Sequence, residues 1–285
     1  IPAELASFSC MYCGARLTKE QLAAELPAAQ EADEDRAAYY DRAVSRLGWC
    51  IKNFGGYQKK IMRDVFFEAF ETYETGCAPV IQELARGVAP EQQTQLLGRA
   101  AAAMLDELEA GWQKKGDMED EKIVLAIFFV PMVRKQQLPI SEEFVTILQK
   151  QWVERYPKSP FYLGDYESIS GGFRKKFLGL CFITTAVCQE LGKPDDCEEL
   201  TAFRAFRDGY LRSQPDGEAL IREYYNIAPG IVTCINTCSD RHASYARIRE
   251  EYLAPCYQDL LAGRNESCKA RYVRMVRDLE REYLS

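Results

Sequence analysis

The chain has 285 residues, of which 47% are hydrophobic, and 36 lysines and arginines stand against 43 aspartates and glutamates, for a net charge of −7. This length allows a sizeable core, and the basic residues are too scattered for a surface that follows nucleic-acid phosphates. The longest apolar run, residues 123–133, is shorter than the roughly 20 residues of a membrane span. We therefore expect neither nucleic acid nor a membrane as the partner.

The first element is a Cys-x-x-Cys turn made by Cys10 and Cys13 and followed by Gly14. Two thiolates on a tight turn supply half of a tetrahedral zinc site. No strand pattern precedes the turn, which argues against a thioredoxin-like redox pair. We expect structural zinc at Cys10 and Cys13. The alternative is a degenerate turn that binds no metal.

The eleven cysteines as a group are spread along the chain, without the dense spacing of a small secreted domain. The first ten residues have neither a basic segment nor a sustained apolar one, so they do not resemble a secretory signal. We predict reduced thiols and a cytoplasmic location.

Helix signals follow along nearly the whole chain. Thr18 with Gln21, and later Ser141, are typical of helix starts, and Pro131 is expected to kink or end the apolar helix at 123–133. Further helices are predicted at about 33–50, 91–114, 119–135, 195–212, 217–239, 243–262 and 266–283.

One amphipathic helix is especially clear. Apolar residues recur at three- and four-residue steps from Tyr57 to Tyr73, with charged residues between them. This pattern predicts a helix of several turns that ends at Gly76.

The stretch 156–172 is rich in proline, glycine, serine and aspartate, which predicts the longest connection. It separates an N-terminal helical region (31–160) from a C-terminal helical domain (161–285). Residues 1–30 are predicted to form the Cys-x-x-Cys turn and a first helix. We predict an all-α, bundle-like globular protein with two packed helical subdomains and almost no sheet.

The segment CFITTAVC, residues 181–188, places thiols and hydroxyls in an apolar helix predicted at 177–191. Cys181, Thr184, Thr185 and Cys188 stand at i, i+3, i+4 and i+7 and so share one face. One interpretation is close packing, because cysteine behaves as a small hydrophobe and threonine can bond a carbonyl one turn back. The other is a reactive or metal-binding cysteine, with Cys181 as the candidate catalytic residue.

The next predicted helix carries Phe203 and Arg207 on one stripe, so Arg207 is expected among apolar neighbours. Arg204 and Asp208 form an i, i+4 pair. An arginine on such a stripe usually satisfies carbonyls or a carboxylate, or covers apolar surface with its stem. The functional alternative is an anion or carboxylate clamp beside the thiol helix.

Several segments in this order carry a resemblance: CFITTAVC, KPDDCEELTAFRAFRDGYL, DGEALIREYYNIAPGIV, YLAPCYQDLL and CKARYVRMVRDL. Together they resemble the CFI-box C-terminal domain of uncharacterised bacterial proteins, mostly Firmicute. The resemblance covers roughly the last 105 residues of the chain. It implies that Cys181, the Phe-Arg-x-Phe-Arg-Asp run and the Tyr-Tyr-x-x-Ala-Pro segment belong to one compact unit, and it assigns no catalytic residue.

The segment VTCINTCSDRH departs from that family pattern. Cys234, Cys238 and His242 recur at i, i+4 and i+8, which makes them candidate partners for the zinc at the N-terminal cysteines. His242 is the single histidine of the chain, so a site with two histidines is excluded. The alternative is a solvated histidine at a helix end.

Two functional hypotheses follow. The first is an intracellular bacterial interaction or adaptor module with a protein partner, in which the Cys-x-x-Cys turn is a structural clip. The second is a thiol-dependent enzyme or redox sensor that uses Cys181. No base is evident near Cys181 in the sequence, which favours the first.

Overall fold

The structure is a computed structural model that describes residues 7–9, 16–18, 35–174 and 181–285, except for the side chain of Lys115 and those of the two strands. Within these residues the prediction of an all-α fold is confirmed, apart from one short hairpin. Strands β1 (Ser7–Ser9) and β2 (Arg16–Thr18) pair antiparallel.

The hairpin changes two expectations about the N-terminus. A strand does precede Cys10, because β1 ends at the residue before it. Thr18 is the last residue of β2 rather than the start of a helix. The helix predicted after Thr18, and Cys10 and Cys13 themselves, lie outside the described residues.

The N-terminal region is a series of helices joined by short connections. Tyr57–Lys60 and Pro90–Gln92 form 3₁₀ turns, and Leu125–Phe129 forms a π-helical turn. The α-helices are α1 (35–47), α2 (Trp49–Lys52), α3 (Phe66–Gly87), α4 (Gln93–Gly111), α5 (Lys115–Val124), α6 (Val130–Lys135) and α7 (Ser141–Arg155).

The C-terminal region continues the series. It has two further π-helical turns, Phe206–Leu211 and Arg249–Leu253. Its α-helices are α8 (Tyr166–Arg174), α9 (Phe182–Glu190), α10 (Glu198–Ala205), α11 (Gly217–Cys238), α12 (Arg241–Ile248), α13 (Ala254–Leu261) and α14 (Asn265–Tyr283).

Helix α3 differs from its prediction at both ends. It begins at Phe66, because Tyr57–Lys60 forms a separate 3₁₀ turn, and it passes through Gly76 to end at Gly87. Beyond Gly76 its buried face continues with Cys77, Val80, Ile81 and Leu84. This burial outweighs the weak helix propensity of a single glycine, which is about 1 kcal/mol poorer than alanine.

Pro131 does not end its helix, which continues to Lys135. The turn before Pro131 is π-helical. A π-helical turn closes at Phe129, and α6 begins at Val130 with Pro131 in its first turn. Pro255 stands in the same way after the π-helical turn that ends at Leu253. The π-helical turn changes the hydrogen-bond pattern of the helix just before each proline, where the missing N–H and the ring would disturb a regular α-helix.

Two further boundaries shift. Ser141 is the first helical residue of α7 rather than its cap, and its hydroxyl donates to the Val133 carbonyl at 2.8 Å. The predicted connection at 156–172 is irregular only in its first part, since α8 begins at Tyr166.

The two regions share one hydrophobic core. The rings of Phe66 on α3 and Phe173 on α8 stack with centroids 4.3 Å apart. Gly230 on α11 lies so close to the turn before α3 that a β-carbon there would stand 1.8 Å from the Ile61 carbonyl oxygen. The contact fixes α11, which carries part of the site described below, against the N-terminal region. None of the helices in the described parts of the chain is long and apolar enough to cross a membrane.

Candidate functional site

Cys181 stands at the N-terminal end of α9 rather than inside a helix. Its backbone is non-helical, and its carbonyl accepts the Thr185 N–H at 2.6 Å, which starts the helix. Residues 175–180, and so the start of the helix predicted at 177–191, lie outside the described part of the chain. The Cys181 side chain is buried, with 4% of the residue exposed.

Arg207 reaches Cys181 from the π-helical turn that follows α10. Its Nη1 lies 3.7 Å from the Cys181 Sγ and donates to the Tyr225 hydroxyl at 3.0 Å. Its Nε and Nη2 donate to the two carboxylate oxygens of Asp208 at 2.8 and 2.6 Å. Arg207 is buried, with 8% of it exposed. π-Helical turns are rare and frequently occur at functional sites.

Two more tyrosines complete the polar group around Cys181. The Tyr224 hydroxyl accepts the Ile183 N–H at 3.0 Å, and Thr184 Oγ1 lies 3.2 Å from the Tyr272 hydroxyl. The rings of Tyr224 and Tyr272 lie 5.9 Å apart. These contacts join α9, α11 and α14, and among their side chains Tyr272 is the one that the sequence did not single out.

Burial governs the ionisation of this group. It raises the pKa of the Cys181 thiol, and the nearby Arg207 opposes the rise without cancelling it. Burial also raises the pKa of Tyr224 and Tyr272. The Arg207 hydrogen bonds lower the pKa of Asp208. At neutral pH the site therefore holds a neutral thiol, neutral phenols and one compensated arginine.

An apolar pocket lies next to the polar group around Cys181. It encloses about 630 Å³, including its mouth, and Cys181, Arg207, Tyr224 and Tyr272 stand at its base. Its walls are apolar side chains from α10, the following π-helical turn, α11 and α14: Phe203, Phe206, Leu211, Leu220, Ile221, Val273 and Val276. We call this cavity the Cys181–Arg207 pocket.

A charged pair stands at the mouth of the pocket. Glu223 on α11 accepts from Arg277 on α14, with Nη2 and Oε2 2.8 Å apart. The pair places both signs of charge beside an apolar opening.

The threonines and Cys188 of the predicted polar stripe have different partners. Thr184 and Cys188 are buried, but the Thr185 Oγ1 has no hydrogen-bond partner among the described residues. The Thr185 hydroxyl does not return to the Cys181 carbonyl one turn back, and the Thr184 hydroxyl contacts Tyr272. Cys188 lies beside Cys197, with 3.9 Å between the sulfurs.

The predicted Arg204–Asp208 pair is replaced by two others. Arg204 donates to the Asp195 carboxylate at 2.8 Å, and Asp208 accepts from Arg207. The π-helical turn begins at Phe206, so residues 204 and 208 are not separated by a regular α-helical turn.

The structure does not bring His242 to Cys234 and Cys238. Helix α11 ends at Cys238, and His242 lies on α12. The two thiols are buried, whereas the His242 side chain is 78% exposed and lies 3.4 Å from Glu190. Among the described residues, no three histidines, cysteines or acids are grouped so as to hold a metal ion. Cys10 and Cys13 are not among these residues.

A second, polar cleft was not anticipated from the sequence. It encloses about 1180 Å³ with its opening. The buried Lys122 donates to Ser159 Oγ at 2.7 Å and pairs with Glu119 at 2.5 Å. Ser159 also donates to Glu119 at 2.5 Å, and its carbonyl accepts from the Trp152 indole. Lys122, Ser159 and Glu119 pair with one another. We therefore interpret these three residues as a structural contact between α5 and the connection to α8.

Comparisons with family models, with curated proteins and with solved structures find no match to this chain. The function is therefore inferred from the geometry of the Cys181–Arg207 pocket.

Proposed function

We propose that the protein is a helical interaction module that binds an apolar side chain of a partner protein in the Cys181–Arg207 pocket. One observation carries the proposal: the walls of the pocket are apolar, while the polar groups at its floor are hydrogen bonded to one another. An occupant would gain free energy by burying apolar surface and would not have to supply a charge.

The size of the pocket limits the occupant. Its volume of about 630 Å³ includes the open mouth, so the enclosed part is much smaller, and the proposal commits to a single apolar side chain as the occupant. Burying such a side chain contributes about 1.5–3 kcal/mol, which is too little for stable binding alone. Further contacts at the mouth are needed, and the Glu223–Arg277 pair suits charged residues on both sides of the apolar anchor.

The second candidate is a thiol-dependent enzyme or redox sensor at Cys181. The proximity of the Arg207 guanidinium favours it, because a cation stabilises a thiolate. Two observations oppose it. Burial raises the pKa of Cys181, and the single histidine lies beside Glu190 instead of the thiol. The Asp208 carboxylate is held by Arg207. We therefore rank binding above catalysis.

The proposed zinc clip at Cys10 and Cys13 is a separate part of this function. The flanking strands β1 and β2 pair antiparallel, and a hairpin is a frequent frame for a two-cysteine zinc turn. Metal analysis of protein purified without chelator tests this part. We expect about one zinc per chain, lost in Cys10→Ser; protein without metal would contradict the clip and leave the pocket proposal unaffected.

The test of the pocket uses a probe and a peptide library. We expect 1-anilinonaphthalene-8-sulfonate to bind the folded protein at one site, and Leu220→Trp, which fills the pocket, to abolish this binding. Leu261→Trp is the matched control, because Leu261 is 64% exposed and does not line the pocket. Circular dichroism checks that both variants fold.

Peptides selected on the folded protein from a random library should carry an aromatic or branched aliphatic anchor between charged residues. They should displace the dye from the wild type and fail to bind Leu220→Trp. Equal dye binding by both tryptophan variants, or selected peptides that ignore Leu220→Trp, would contradict the proposal.

A further inference from the structure

The nine described cysteines are all free thiols, and two of them meet at the connection between α9 and α10. The sulfurs of Cys188 and Cys197 lie 3.9 Å apart. This is van der Waals contact between unbonded sulfurs, and a disulfide requires a separation of about 2.05 Å. A movement of roughly 2 Å would therefore join them.

The fold of the connection produces this contact. Helix α9 ends at Glu190, and Gly192 takes a φ of 67°, which reverses the chain direction at little steric cost. The Lys193 N–H then bonds the Cys188 carbonyl at 2.9 Å. Cys197 stands as the residue before α10, so the reversed chain returns to the last turn of α9.

Exposure separates Cys197 from the other described cysteines. Cys50, Cys77, Cys256 and Cys268 are fully buried, each with 0% exposed, whereas Cys197 is partly exposed. Among the described cysteines, Cys197 is therefore the one that a reagent in solution reaches first. Cys188 is buried, with 2% exposed, and its nearest reaction partner is the Cys197 sulfur.

We propose that Cys188 and Cys197 form a reversible redox site that exchanges with low-molecular-weight disulfides. The Cys197 thiolate attacks one sulfur of the small disulfide, forming a mixed disulfide and expelling one thiolate. Cys188 then loses its proton to solvent and attacks the Cys197 sulfur, which expels the second thiolate. The protein dithiol loses two electrons and two protons, and the small disulfide becomes two thiols.

The second step is the slower one. Burial raises the pKa of the Cys188 thiol, and this effect persists when Cys197 carries the mixed disulfide, so few of these thiols are ionised at neutral pH. The mixed disulfide on Cys197 is therefore the intermediate that accumulates, and removing Cys188 should trap it.

The test uses the full chain, reduced and then incubated with oxidised glutathione. After free thiols are alkylated, cleavage at glutamates cuts after Glu190, which separates Cys188 from Cys197. We expect the two fragments to remain joined until a reductant is added. The closed loop is short, and the oxidised protein should melt about 5 °C or more above the reduced one.

Cysteine-to-serine variants identify which two sulfurs form the cross-link. Cys188→Ser should retain glutathione on Cys197, and Cys197→Ser should show neither cross-link nor adduct at Cys188. Cys256→Ser is the matched control from a buried pair and should leave the cross-link unchanged. Cys181→Ser should also leave it unchanged, which excludes Cys181 as the sulfur within the longer fragment.

Two results would overturn the proposal. One is a cross-link that appears only in protein unfolded in urea before oxidation. The other is glutathione that stays on Cys197 in the wild type as long as it does in Cys188→Ser. Neither result depends on the pocket, so failure here is distinguishable from failure of the proposed binding function.

Discussion

The guanidinium of Arg207 lies 3.7 Å from the sulfur of Cys181, although 26 residues separate them in the chain. The same Nη1 donates to Tyr225. These three residues belong to three of the segments on which the CFI-box resemblance rests. Arg207 is thus one side chain through which these segments contact one another.

Replacing Arg207 should destabilise the protein, because the Tyr225 hydroxyl and Cys181 would lose a charged donor in a buried site. We expect Arg207→Met to lower the free energy of unfolding by about 1–3 kcal/mol in urea titrations. The control is Arg274→Met, whose side chain is 77% exposed and pairs at 3.5 Å; it should cost less than about 0.5 kcal/mol. Equal effects of the two substitutions would contradict the assigned role.

The Arg207–Asp208 ion pair also predicts a pH dependence. Arg207 lowers the folded-state pKa of Asp208 below its ordinary value of 3.8. The pair therefore contributes stability above about pH 4, and this contribution is lost as the pH falls through the folded-state value. The stability difference between wild type and Arg207→Met should shrink below pH 4. A difference that stays constant from pH 6 to pH 3 would argue against the pair.

Tyr225→Phe isolates one hydrogen bond of the same site. It removes the hydroxyl that accepts from Arg207 at 3.0 Å and keeps the ring, so we expect a loss of about 1–2 kcal/mol. In a double-mutant cycle with Arg207→Met the two losses should be non-additive by at least about 0.5 kcal/mol. Strict additivity would mean that the hydroxyl does not interact with the arginine.

The reactivity of Cys181 distinguishes binding from thiol catalysis. Burial raises its pKa, so iodoacetamide at neutral pH should label Cys197 before Cys181 in the folded protein. Arg207→Met should move the pH midpoint for Cys181 alkylation upward, because a cation that favours the thiolate is removed. Peptide mass spectrometry gives both rates. Labelling of Cys181 faster than a free thiol would favour the enzyme hypothesis.

Gly230→Ala tests the contact between the two helical regions. The added β-carbon would meet the Ile61 carbonyl oxygen at 1.8 Å, and we expect a loss of more than about 3 kcal/mol in the free energy of unfolding. Gly171→Ala on α8 is the control, because nothing lies within 4 Å of that position. It should be neutral or stabilise by up to about 1 kcal/mol. Thermal melts of both variants measure this contrast.

Most helices were predictable from sequence because apolar periodicity reports a buried face directly, as it does between Phe66 and Tyr73. Details that depend on packing were not predictable from the sequence. The extension of α3 past Gly76 and the π-helical turns arise from contacts between distant segments. The burial of Arg207 followed from its stripe, but its partners Tyr225 and Cys181 stand 18 and 26 residues away. No spacing within a single helix predicts contacts between residues so far apart in the sequence.

The π-helical turn at Arg249–Leu253 is a place where the chain should tolerate the loss of one residue. Ile248, which precedes the turn, and Leu253, its last residue, are both buried and stand five positions apart, whereas a regular helix returns to the same face after three or four. Deleting the exposed Glu250 would restore the regular step and leave both faces in register. The same deletion inside α14 would rotate the following residues by about 100°. Single-residue gaps between related chains should therefore fall at this turn.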